Sequence, residues 1–294
     1  MSAGQSRVVV LDAGCRHSHD RQQSQPNEAK VLPRIIRKGP SLRSSPWFVR
    51  PVPKLSPTSR LICLPYAGGS AATFVSWARS LPAEVELLAL QPPGRGARMA
   101  ETPHADMEPL IADLLGVFPQ VTDRPYVLFG HSLGSRVGFE LALQCQRRGL
   151  PLPACFIASG SRAPQLHKRE LPVHNLPQAE FVARLRELAG TPEEILTNGE
   201  LIQLLLPLLR ADFRIADLYC AAPTRLNCPL VVLAGTQDET VNSQEVEAWR
   251  QVAGSDFTIH WIAGGHFFVE HNRAWVLERV NAVIAQAAQG QRTT

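Results

Sequence analysis

Ser132 lies in the run Tyr126-Val127-Leu128-Phe129-Gly130-His131-Ser132-Leu133-Gly134, where an apolar, strand-like stretch ends in Gly-x-Ser-x-Gly. The residues that follow, Ser135-Arg136-Val137-Gly138-Phe139-Glu140-Leu141-Ala142, have helical character. Strand, tight turn and helix are the setting of a nucleophile elbow, in which the turn lifts a serine hydroxyl above the edge of a sheet. Glycines two residues to either side remove side chains that so sharp a turn could not hold. A serine hydroxyl is a poor nucleophile at neutral pH. It needs an imidazole to take its proton and a carboxylate to orient that imidazole.

On this kind of scaffold the chain order is serine, acid, histidine. His167, His174, His260, His266 and His271 follow Ser132. His266 comes after the strand-like Thr258-Ile259-His260-Trp261-Ile262 and a short Ala263-Gly264-Gly265 loop, which is where a base belongs. His260 falls inside the strand and reads as structural. His271 reads as a cap or surface residue. The continuous apolar run Pro229-Leu230-Val231-Val232-Leu233-Ala234 predicts a strand buried on both faces. Its exit loop carries Asp238, the preferred acid, with Glu239 and the more distant Asp212 as rivals. Asp212 falls in a helical stretch and reads as a salt-bridge or cap residue. Two backbone N–H groups must hold an oxyanion. Leu133 follows the nucleophile and supplies one. Ala67 supplies the other from the loop Pro65-Tyr66-Ala67-Gly68-Gly69-Ser70, which follows the predicted strand Arg60–Leu64.

These residues, with two further segments, resemble the type II thioesterases that accompany nonribosomal peptide and polyketide synthases. The carriers are Leu64-Pro65-Tyr66-Ala67-Gly68-Gly69, Gln91-Pro92-Pro93-Gly94-Arg95-Gly96, the Ser132 elbow, Leu206-Pro207-Leu208-Leu209-Arg210-Ala211-Asp212, Gly235-Thr236-Gln237-Asp238 and Gly264-Gly265-His266-Phe267-Phe268. The resemblance spans roughly residues 58 to 288. It implies an α/β-hydrolase fold and a Ser132, Asp238, His266 triad. It further implies hydrolysis of stalled or aberrant acyl groups from the phosphopantetheine arm of acyl or peptidyl carrier protein domains, in the synthesis of an antibiotic or siderophore. No cofactor, metal, nucleic acid or membrane is expected, and a cytoplasmic monomer is. A medium-chain fatty acyl thioesterase or a general esterase would use the same groups, and a non-catalytic binding protein would have little need of all three.

The 294-residue chain suffices for one α/β domain plus an extension. Its net charge of +4 is uneven: residues 1 to 58 hold ten Lys and Arg against three acids, so the rest is net acidic. The basic total therefore does not argue for nucleic acid. Residues 1–57, rich in Pro, Ser and Arg, are expected to be a disordered extension. Residues 58–290 are expected to be the catalytic domain, with a lid at about 161–226. Six scattered cysteines, without metal-ligand spacing, read as reduced thiols.

Strands are predicted near 60–65, 85–91, 125–130, 154–159, 229–234 and 257–262, and helices near 72–81, 107–117, 133–148, 242–252 and 272–288. Such alternation implies a mainly parallel sheet with helices on both faces and a helical lid insertion. Within the insertion, Thr191-Pro192-Glu193-Glu194 reads as a capping box. Pro207 is expected to kink or break an apolar helix, whose leucines either line an acyl pocket or fasten the lid to the body.

Overall fold

A computed structural model describes residues 45–290, apart from 169, 189 and 255. Seven strands form one sheet in the order β1-β3-β2-β4-β5-β6-β7. They are β1 (Phe48–Val49), β2 (Ser59–Leu64), β3 (Val85–Leu90), β4 (Tyr126–His131), β5 (Cys155–Ser159), β6 (Leu230–Gly235) and β7 (Phe257–Ile262). All neighbours are parallel except β1 and β3. The helices are α1 (Ala72–Val75), α2 (Met107–Val117), α3 (Leu133–Arg147), α4 (Gln178–Glu187), α5 (Glu193–Thr197), α6 (Gly199–Leu218), α7 (Ser243–Glu247), α8 (Phe268–His271) and α9 (Arg273–Gly290).

Side chains alternate across each strand, so the central strands feed two cores. Ile62, Leu64, Leu88, Leu128 and Phe156 join Leu114 of α2 and Val137 of α3 on one face. Leu61, Cys63, Leu87, Phe129 and Ile157 join Trp77 and the Val276, Val280, Ile284 stripe of α9 on the other. Burial on both faces is why these strands read as unbroken apolar runs.

The expected boundary after residue 57 falls too late. Trp47 and Phe48 are buried, and β1 pairs with β3 through Phe48 opposite Leu90. Two apolar residues suffice to add an edge strand, too few to register as a periodic pattern. The earlier part of the expected extension, residues 1–44, lies outside the described residues.

The insertion between β5 and β6 carries α4, α5 and α6. Phe181, Leu185, Leu196, Ile202, Leu206 and Leu209 form a third apolar cluster made of lid residues alone, so Leu206 and Leu209 of α6 hold the lid helices to one another, which is neither of the two roles expected for them. One expectation for this segment fails, and half of another. Pro192, not Thr191, is the N-cap of α5, and its carbonyl takes the first helical bonds from Ile195 and Leu196. That shifts the frame by one residue and leaves no side-chain cap. Of the kink or break expected at Pro207, the break does not occur: α6 runs through it. Burial of Leu206, Leu208 and Leu209 around it outweighs the one lost helical hydrogen bond.

The elbow joins β4 to α3. Ser132 has φ 54° and ψ −115°, the sole non-glycine residue with positive φ among those described. A Cβ on Gly130 would sit 2.2 Å from the Gly134 carbonyl oxygen, and one on Gly134 would sit 2.2 Å from that of Leu64. Backbone cannot retreat as a side-chain tip can. Gly134→Ala is therefore expected to lose about 3 kcal/mol of stability in urea denaturation, the upper end of overpacking costs. Gly116→Ala, at an exposed helical position with open space around it, is expected to gain up to about 1 kcal/mol.

Candidate active site

Parallel strands place their C-terminal ends on one edge, and the loops leaving that edge gather the site. Ser132 follows β4, Asp238 follows β6 and His266 follows β7. The three meet although 134 residues separate the first from the last. Ser132 Oγ lies 3.0 Å from His266 Nε2, and His266 Nδ1 lies 2.8 Å from Asp238 Oδ2. With Nδ1–H donating to the carboxylate, Nε2 is the nitrogen left to accept the serine proton.

Burial works against ionising Asp238, but the His266 contact and two hydrogen bonds from Thr240 outweigh it and hold the carboxyl below its ordinary range. Asp238 is thus a carboxylate at neutral pH. Thr240 is a residue that sequence reasoning missed. Its hydroxyl donates to Asp238 Oδ1 at 2.7 Å and lies 2.9 Å from His266 Nδ1, while its N–H donates to the same Oδ1 at 2.9 Å. Its place two residues after the acid in a turn was the available signal.

His131, set aside on chain order, is fully buried beside the site. Its ring centroid is 5.4 Å from that of His266, and its Nδ1 lies 2.9 Å from Ser159 Oγ. Burial first, and the charge of His266 second, pull its pKa down to about 3. It stays neutral and cannot compete for the proton that His266 handles. Of the rivals for the acid, Glu239 is exposed at the cavity mouth. His260 sits half-buried on β7, its pKa lowered by burial and then by Arg279. His271 closes α8 in an exposed position.

Asp212 is held elsewhere. It takes two hydrogen bonds from the Arg95 guanidinium, at 2.7 and 2.8 Å, and one from the Gly68 N–H at 2.7 Å. Arg95 also donates to the Gly69 carbonyl at 2.9 Å. One carboxylate on α6 thereby fixes the loop after β2. The Gly69 N–H is taken by the Tyr66 carbonyl. Gly68 and Gly69 are thus committed, and Ala67 lines the cavity along with Ser132. Leu133 opens α3, so its N–H has no partner within the helix.

Ser132, His266 and Ala67 line a cavity of about 190 Å³ beneath the lid, together with apolar Leu185, Leu188 and Phe213 and several charged side chains. Among the described residues, no group of three or more His, Cys, Asp or Glu is placed to hold a metal ion, and no helix is long and apolar enough to cross a membrane. The five cysteines among them are unpaired thiols.

The family model for the thioesterase domain matches residues 59–284. The gramicidin S biosynthesis protein GrsT of Aneurinibacillus migulanus is 34% identical over 79% of this chain and 91% of its own length. Thioesterase PikA5 of Streptomyces venezuelae is 38% identical over 78% of this chain and 81% of its own. Among solved structures, the type II thioesterase BorB from the borrelidin biosynthetic cluster superposes with a TM-score of 0.75 at 36% identity, covering 82% of this chain and 98% of BorB.

The Asp212 clamp makes a prediction independent of chemistry. Asp212→Ala strands the buried Arg95 guanidinium and the Gly68 amide, and is expected to cost on the order of 3–5 kcal/mol in urea unfolding. The double variant Arg95→Met/Asp212→Leu, which removes both charges, is expected to lose less than Asp212→Ala alone.

Proposed function

The chain belongs to the thioesterase-domain family, and on that premise we propose that it is a serine-dependent type II thioesterase that clears acyl groups from carrier-protein phosphopantetheine. The observation that carries this reading is the 3.0 Å contact between Ser132 Oγ and His266 Nε2, backed by Asp238 at 2.8 Å and open to the cavity.

In the proposed reaction Ser132 Oγ attacks the thioester carbonyl as His266 Nε2 takes its proton. The amides of Ala67 and Leu133 hold the oxyanion. The tetrahedral intermediate collapses by breaking the C–S bond. The leaving thiolate takes the proton from His266, and the acyl group remains on Ser132. Water then attacks the acyl-enzyme, gives its proton to His266, and the acid departs as Ser132 recovers its hydrogen. Asp238 stabilises the imidazolium in both halves without itself taking the proton. No step requires a cofactor, since the substrate brings its own phosphopantetheine. The reading includes a monomer in the cytoplasm, acting on acyl or peptidyl carrier domains. Its support is the kinship to GrsT, PikA5 and BorB, whose names place them in biosynthetic systems for gramicidin S and borrelidin or call them thioesterases.

The test is hydrolysis of acyl-carrier protein beside the matching acyl-CoA and a simple ester. Carrier-protein turnover is expected to be fastest. Ser132→Ala is expected to lose on the order of a millionfold in kcat, and Asp238→Asn about 10⁴-fold. Turnover that survives Ser132→Ala would overturn the serine mechanism. Ester cleavage faster than carrier-protein cleavage would move the function to a general esterase.

A further inference from the structure

On the reading that the chain cleaves thioesters, we propose that its acyl cavity accepts a short acyl chain ending in a carboxylate, selected by Arg136 and Arg162. Four cations line the cavity beside Ser132. Two are neutralised: Lys168 by Asp217 at 2.6 Å, and Arg184 by Glu170 at 3.5 Å. Arg136 and Arg162 are each only 6% exposed, yet among the described residues neither forms an ion pair with a carboxylate. Burying a charge without a partner is costly, so their position calls for an explanation.

Part of it lies in α6. Arg136 Nη1 donates to the Ala216 carbonyl at 2.6 Å, and Arg162 Nη2 donates to the same oxygen at 3.2 Å. Ala216 is in the last turn of α6, where carbonyls lack helical partners and carry the negative end of the helix dipole, about half a charge. The Nε atoms are taken by Ser161 Oγ and the Leu166 carbonyl. Glu245 is buried within Coulombic range of both guanidiniums, with Oε2 accepting the Asn242 N–H. Asp217 also acts on both guanidiniums, but it is shared with Lys168 at 2.6 Å, so the two positive charges still exceed the anionic charge left for them. Burial first, and the neighbouring Arg162 second, pull the pKa of Arg136 down to about 9, against the opposing pull of Asp217 and Glu245.

Each guanidinium keeps one terminal nitrogen, Nη2 of Arg136 and Nη1 of Arg162, that donates to no described protein atom. A planar carboxylate matches that kind of donor pair. An alkyl end would leave both charges desolvated with nothing in exchange. Arg136 stands one helical turn beyond Ser132, a rise of about 5.4 Å. Such a reach suits a dicarboxylic acyl group of a few carbons, thioesterified at one end.

The experiment compares succinyl-pantetheine with isocaproyl-pantetheine, which has the same shape without the charge, on wild type, Arg136→Met and Arg162→Met. Binding of the two corresponding pantetheine amides, which are not cleaved, is measured by calorimetry in parallel. The expected wild-type ratio of kcat/KM favours succinyl by about tenfold or more, and the ratio falls toward one in each Met variant. A wild-type ratio of one or below overturns the proposal, and so does a preference that persists in both variants. If a Met variant does not fold, Arg136→Lys and Arg162→Lys, which keep the charge but lose the planar fork, are expected to show a reduced ratio. Loss of all thioester turnover with the succinyl amide still preferred would defeat the thioesterase reading and leave the anion pocket standing. Turnover without amide or kinetic preference would do the reverse.

Discussion

Ser132 is held in a backbone conformation that a residue with a Cβ adopts at a cost of roughly 1–3 kcal/mol, and much of the molecule serves to keep it there. The φ of 54° points the hydroxyl out of the sheet edge toward His266. The strain persists because its surroundings leave no alternative. The Ser132 N–H donates to the Ser159 carbonyl at 2.8 Å. Ser135 Oγ lies within 2.8 Å of the Gly130 carbonyl and 2.9 Å of the Ser159 carbonyl, and accepts the Ser159 N–H at 3.0 Å. One hydroxyl thus ties the first turn of α3 to the ends of β4 and β5. The fully buried β4 anchors the other side.

The second constraint is α6, which belongs to the lid by sequence position and to the site by its contacts. Asp212 fixes the loop that carries Ala67, through Arg95 and Gly68. Four residues on, the Ala216 carbonyl receives Arg136 and Arg162. The next residue, Asp217, binds Lys168, His174 and two backbone amides. Burial opposes ionising Asp217, and these partners reverse it, so its carboxyl sits below the ordinary range. Because the folded pKa is depressed, that stabilisation is present above the unfolded value of about 3.9 and fades as pH falls through the folded one. The loop that carries Ala67 and the cavity beside Ser132 are therefore set by one turn and a half of a single helix.

Legibility in the sequence followed the range of the interactions. Strands β2 to β6 were readable because burial on both faces writes a mostly apolar run, half-exposed β7 because its residues alternate, and the elbow because its glycines answer a local steric demand. Asp238 and His266 were readable from their places just after strands. His131 was not, since its role depends on burial that composition does not reveal, and Thr240 was missed although its bonds to Asp238 span only two residues. The Thr191 pattern misled because proline displaced the helix frame by one residue, whereas Asn198 and Asn242 do cap α6 and α7 through side-chain bonds. Asp212 reads in sequence as an ordinary helical acid, and only the fold shows that it binds a loop 144 residues distant.

The two halves of α6 divide these duties. Before Pro207 the helix is fastened by Ile202 and Leu206 and leaves Leu201 and Leu204 exposed. After it, Leu209 and Ile215 stay in apolar clusters, and directional bonds are added at Asp212, Ala216 and Asp217, each bonded to the body or the adjoining lid loop. Apolar contacts tolerate small shifts because they have no required direction. Charge-assisted hydrogen bonds weaken steeply with misalignment. The second half is thus the part whose position the chemistry needs fixed, and it is the part held by directional bonds. Pro207 stands at the junction, where losing one helical hydrogen bond disturbs neither set of contacts.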